Sequence, residues 1–129
     1  MFEEALFSFL VADTDLTALV GQRIYPLLLP QQPTTPAISY QRISTTPLYA
    51  LNGNQQLTKV RIQFDIFGAT LADAKSVAEA LHSRLDAYRG LMGSVQVGSV
   101  FRASEMDLYD PSVESFRVST DYLIVFEGV

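Results

Sequence analysis

The sequence predicts an α+β fold: a mostly antiparallel sheet of about five strands, helices packed on one face, and a long protruding β-hairpin. Three observations carry this expectation. In Leu57–Phe67, Val60, Ile62, Phe64 and Ile66 alternate with Lys59, Arg61, Gln63 and Asp65, the period of two that a strand with one buried face requires. Between Thr70 and Tyr88, Ala74, Val77, Ala78, Leu81, Leu85 and Tyr88 recur at helical spacing, with charged and polar residues on most of the remainder. The candidate elements run helix, short helix, three strands, helix, two strands, an order that suits helices layered on a sheet.

Each element has a local reason. Phe2, Leu6, Phe9 and Leu10 form an apolar stripe on a first helix over Phe2–Ala12, and Glu3 and Glu4 sit in its first turn, where the helix dipole favours negative charge. Asp13-Thr14-Asp15 offers capping oxygens for a short second helix through Leu16, Leu19 and Val20, closed by Gly21. Arg23–Pro26 reads as a short strand leading into a loop, Leu27–Thr35, whose Pro30 and Pro33 have no N–H for a ladder. Pro36–Ser44 resumes the alternation with Ile38 and Tyr40. Thr45–Gln56 then holds Asn52-Gly53, the commonest pair for a tight hairpin turn, with Leu48, Tyr49 and Leu51 near the tip. Thr70 opens the long helix as the start of a capping box, with Asp73 in its last position, and Gly90 and Gly93 end it. Two strands follow, Val95–Ala103 and Glu114–Glu127, separated by a turn at Asp110-Pro111-Ser112.

Composition narrows the function. The 129 residues make one domain, 1–129, with 48% apolar and 18% charged residues, enough to build a core. There is no cysteine, so disulfides, thiol catalysis and cysteine-ligated metals are excluded. Apolar runs such as Tyr122–Phe126 fall far short of the roughly 18 residues that span a bilayer, and the opening Met-Phe-Glu-Glu lacks the basic region of an export signal. A net charge of −5 with scattered basic residues argues against gripping a nucleic-acid duplex. His82, the single histidine, is the only general-base candidate, and its place on the polar helix face near Glu79 and Asp86 reads as solvated surface. The pairs Glu105 with Asp107 and Asp13 with Asp15 have spacings common in loops. The seven glycines form no phosphate-binding pattern. No catalytic, cofactor-binding or metal residue is therefore expected.

Apolar residues occur where a monomer would keep polar ones. Leu27, Leu28 and Leu29 lie in a proline-flanked loop, where they either tuck against the domain's own helices or dock on another subunit, and Leu48, Tyr49 and Leu51 beside Asn52 and Gly53 lie on the hairpin. Phe67, Leu123 and Val125 fall on the faces opposite the core stripes. A sheet apolar on both sides needs a neighbour, so these eight loop and hairpin residues are the candidate assembly interface of an oligomer.

Arg23-Ile24-Tyr25-Pro26, the proline-rich run into Pro36-Ala37-Ile38-Ser39-Tyr40, Arg42-Ile43-Ser44, Asn52-Gly53, the Val60–Ile66 strand and the alanine-rich helix Ala72–Leu85 together resemble the small tail-terminator, or tail-completion, proteins of long-tailed bacteriophages and prophages. The likeness rests on order and spacing from about residue 5 to residue 126. It implies a structural virion protein, not an enzyme, made in the host cytoplasm and placed at the head-proximal end of the tail. There it would form a ring, typically a hexamer, that caps the tail tube. Its partners would be the tube protein, the neck or head-completion protein and the tape-measure protein, with DNA passing through the lumen unbound and no membrane involved. Two other readings stay open: a head–tail connector or neck-adaptor ring, and a non-viral α+β ligand-binding domain or enzyme.

Overall fold

The computed structural model describes residues 1–31, 34–49, 56–111 and 115–128. Three helices, α1 (Phe2–Val11), α2 (Thr14–Val20) and α3 (Leu71–Leu85), accompany six strands: β1 (Ile24–Pro26), β2 (Ala37–Tyr49), β3 (Gln56–Gly68), β4 (Gly90–Met92), β5 (Val95–Asp110) and β6 (Ser115–Glu127). All six strands form one sheet in the order β1-β2-β3-β6-β5-β4. Only β1 against β2 is parallel; the other pairings are antiparallel.

Six strands replace the expected five. The additional one, β4, pairs Met92 with Val95 across Gly93-Ser94, and Gly93 takes φ 56°, a left-handed value that suits glycine. Three residues are too few to show a period, so their glycines read as punctuation. Gly90 and Gly93 do not end α3 either. The helix closes at Leu85, Asp86 caps it, and Ala87 turns the chain away at φ 55°.

The long strands outrun their expected ends, β2 to Tyr49 and β5 to Asp110. Thr45, Thr46, Pro47 and Leu48 pair with Val60, Lys59, Thr58 and Leu57, and those residues of β3 pair in turn with β6 as far as Glu127. Thr45–Leu48 therefore belongs to the sheet and not to a free two-stranded ribbon. Residues 50–55, including Leu51, Asn52 and Gly53, lie outside the described residues.

The alternation in β3 decides the core. Val60, Ile62, Phe64 and Ile66 are fully buried and share one cluster with Val118, Tyr122, Ile124 and Phe126 of β6, and with Val77, Leu81 and Leu85 of α3. Phe2, Leu6 and Leu10 of α1 enter the same cluster, with the Phe2 and Phe126 rings stacked at 4.5 Å. Arg84 ties α3 to α1, donating to the Phe9 carbonyl at 2.8 Å and lying 3.7 Å over the Phe9 ring. The capping expectations hold at both helix starts: Asp13 accepts from the Leu16 N–H, and Thr70 from the Asp73 N–H.

Candidate assembly interface

Leu27 and Leu28 extend the chain from the end of β1. Ile24, Tyr25 and Pro26 align with Ile38, Ser39 and Tyr40, and the Leu27 N–H continues the pairing by donating to the Tyr40 carbonyl at 2.8 Å. Leu27 then takes φ 67°, a left-handed conformation in which an L side chain crowds its own backbone at a cost of about 1–2 kcal/mol. The result is a bend that leaves Leu27 67% and Leu28 80% exposed, with Leu29 half-buried. Beside it, Met1 and Phe7 of the α1 side and Ile24, Tyr25, Pro26 and Tyr40 line an apolar groove. Burial, and secondarily the nearby Glu3 carboxylate, raises the Tyr40 pKa above its ordinary value. Glu3 itself holds Arg42 in a two-pronged pair at 2.7 and 2.8 Å, joining α1 to β2.

The other candidate residues are not gathered with Leu27–Leu29. Leu48 is half-buried opposite Leu57, and Tyr49 closes the described part of β2 opposite Gln56. Sequence alone did not point to Phe101, Met106 and Tyr109, which are 61%, 57% and 51% exposed along β5. The signal was faint, because these residues lie in a stretch rich in serine and acid.

The alternate row of β3, Lys59 to Phe67, carries a polar band edged by apolar side chains. Arg61 reaches Asp121 at 2.7 Å, Gln41 donates to Gln63 at 3.3 Å, and Arg117 lies 5.9 Å above the Phe67 ring. Leu123 stands between Arg61 and Phe101 in the ladder, and Val125 between Lys59 and Ser99. Phe67, Leu123 and Val125 thus fall on the row opposite the core, as the sequence implied.

His82 departs from the expected solvated surface. Its Nδ1 lies 2.9 Å from the hydroxyl of fully buried Tyr122, and its Nε2 lies 3.7 Å from Asp86. Burial pushes the Tyr122 pKa up to about 12. Farther along α3, Lys75 spans to β5, 2.7 Å from Asp107 and 3.7 Å from Glu105, and its hydrogen bond with Asp107 raises its own pKa. Glu105 and Asp107 are thereby committed to Lys75 as structural partners. Among the described residues, no three metal-ligating side chains are grouped for a metal. No helix of the described residues is long and apolar enough to cross a membrane.

The pattern of the tail completion protein gp17 family matches residues 4–127. The chain belongs to that family. It is a structural protein of the bacteriophage virion, a component of the tail that associates with other virion proteins. A chain from the virion of a native gene transfer agent particle shares the fold, with a TM-score of 0.74 at 18% identity over 98% of this chain and 94% of that one. Among curated proteins, none matches the sequence.

Proposed function

We propose that this tail completion protein forms a ring, a hexamer by the family likeness, on the head-proximal end of the tail tube. The ring stops tube polymerisation at the length set by the tape-measure protein and offers its upper surface to the neck. The observation that carries this reading is the family match across residues 4–127, nearly the whole chain. The exposed Leu27 and Leu28 and the apolar residues along β5 support it, because a monomer gains nothing by exposing them. The row of β3 and β6 opposite the core stripe is left for a neighbour. A net charge of −5 suits a lumen through which DNA slides without displacing counterions. The role is non-catalytic, consistent with a structural family.

Electron microscopy of particles assembled without this protein tests the proposal. Over-long tails without heads are expected. Tails of normal length that merely fail to join heads would move the protein to the neck and overturn the terminator role.

A further inference from the structure

The outermost strands are much shorter than the strands they cover. β1 pairs only with Ile38, Ser39 and Tyr40 of β2, and β4 only with Val95, Gln96 and Val97 of β5. Among the described residues, no strand lies along the outer edge of β2 from Gln41 to Tyr49, or of β5 from Gly98 to Tyr109. The Ala87 N–H does reach the Val100 carbonyl at 3.2 Å, near the start of the β5 stretch. Bare edges of this length are templates for another strand, with Pro47 the one residue of these two stretches that has no N–H to donate.

We infer that the Gly98–Tyr109 edge of β5 in one copy pairs antiparallel with the Gln41–Tyr49 edge of β2 in the next copy. This inference rests on the ring reading above and adds which edges make the ring. Direction supports it. Three antiparallel pairings separate β2 from β5 in the order β2-β3-β6-β5, so the two edges run in opposite directions within one copy. A rotation about an axis near the strand direction brings a copy onto its neighbour without reversing it, and β5 then meets β2 antiparallel. Because the two edges differ, the contact is head-to-tail and propagates until it closes.

The charges beside both edges are already paired within the copy, Glu105 and Asp107 with Lys75 and Arg102, and Arg42 with Glu3, so a β5–β2 contact brings no unpaired like charges together. Shape bears on the pairing as well. The β2 edge bulges between Arg42 and Ser44, and the β5 edge bulges twice, between Val97 and Ser99 and between Arg102 and Ser104. Bulges bend an edge away from a flat passing strand, so a partner with its own bend fits better. Pairing would also cover Ile43, Phe101 and Met106, all now exposed.

The absence of cysteine makes the test direct. Thr46→Cys is combined with Ser99→Cys or with Ser104→Cys, each single variant serves as control, and a short bis-maleimide bridges the thiols in assembled particles. The expected product is a ladder in steps of 14.3 kDa that ends at the closed ring, seen only in the double variants. A dimer from Ser104→Cys alone would mean β5 pairs with itself and would overturn the inference while sparing the ring. Rings of normal mass without a ladder would do the same. Copies that cross-link only to other proteins would sink the ring reading as well. Should the cysteines disturb assembly, amide exchange on the unmodified chain decides. The amides of residues 41–46, 48, 49 and 98–109 should exchange at least about tenfold more slowly in the ring than in the monomer, and unchanged exchange overturns the pairing.

Discussion

Tyr122 sits where burial and polarity meet. Its ring is in the core and its hydroxyl reaches His82 at 2.9 Å, and burial raises its pKa to about 12. The folded state therefore holds the phenol proton more tightly than the unfolded chain does. That stability is fully present below the ordinary tyrosine pKa near 10 and is lost as pH rises toward 12, by on the order of 2 kcal/mol. Urea titrations at pH 8 and at pH 11 should show the loss, and Tyr122→Phe should flatten it. An equal loss in Tyr122→Phe would assign the alkaline sensitivity elsewhere. His82→Ala should cost about 1 kcal/mol through the lost hydrogen bond and leave tail assembly intact, read by thermal melting and electron microscopy. The polar-face position of His82 was legible in the sequence, but its partner was not, because Tyr122 lies forty residues away on another element.

At the scale of the element, α3 and β3 were the most legible parts, since both have one wet and one dry face and enough length to show it. Leu81→Ala should cost about 2–5 kcal/mol, because Leu81 is fully buried between α3 and the sheet. A melting midpoint equal to that of the parent would contradict the core described above. Gly68, at the passage from β3 to α3, makes a sharper test. A Cβ there would stand 2.9 Å from the Ala74 nitrogen and 3.0 Å from the Thr70 carbonyl oxygen, both backbone atoms that cannot rotate away. Gly68→Ala should therefore destabilise by about 1–3 kcal/mol, whereas Gly98→Ala, whose nearest neighbour is 3.7 Å away, should cost much less. The ends of β2 and β5 were illegible for a physical reason. Beyond Arg42 and Arg102 each strand bulges, and the bulge shifts the register on which alternation depends.

At the scale of the whole molecule, the candidate interface was only half legible. Leu27 and Leu28 stood out as apolar residues among prolines, and both are exposed. Phe101 and Met106 did not stand out, because which side of a strand faces outward is fixed by its partners and not by its own sequence. Replacing Leu27 and Leu28 together with serine should leave the melting temperature within about 2 °C, since neither packs in the core. The same variant should reduce tail completion, counted as the fraction of particles with tails of normal length joined to heads. A variant that melts far lower would show that the bend stabilises the subunit itself.

The position of β6 has a consequence for how the chain comes to be folded during synthesis. β6 is the latest strand in sequence, yet it lies in the interior of the sheet between β3 and β5. Until it has been made, β1-β2-β3 and β4-β5 are two ribbons with no strand pairing between them, and Phe2 lacks the ring of Phe126 on which it stacks. Before β6 docks, the inner edges of β3 and β5 are unpaired, the state in which strands most readily pair with the wrong partner. Completion is long-range and all at once, which favours a slow, sharply cooperative folding step in the class of sheet-dominated domains. Low temperature or slower expression should therefore raise the soluble yield of this protein more than any single surface substitution.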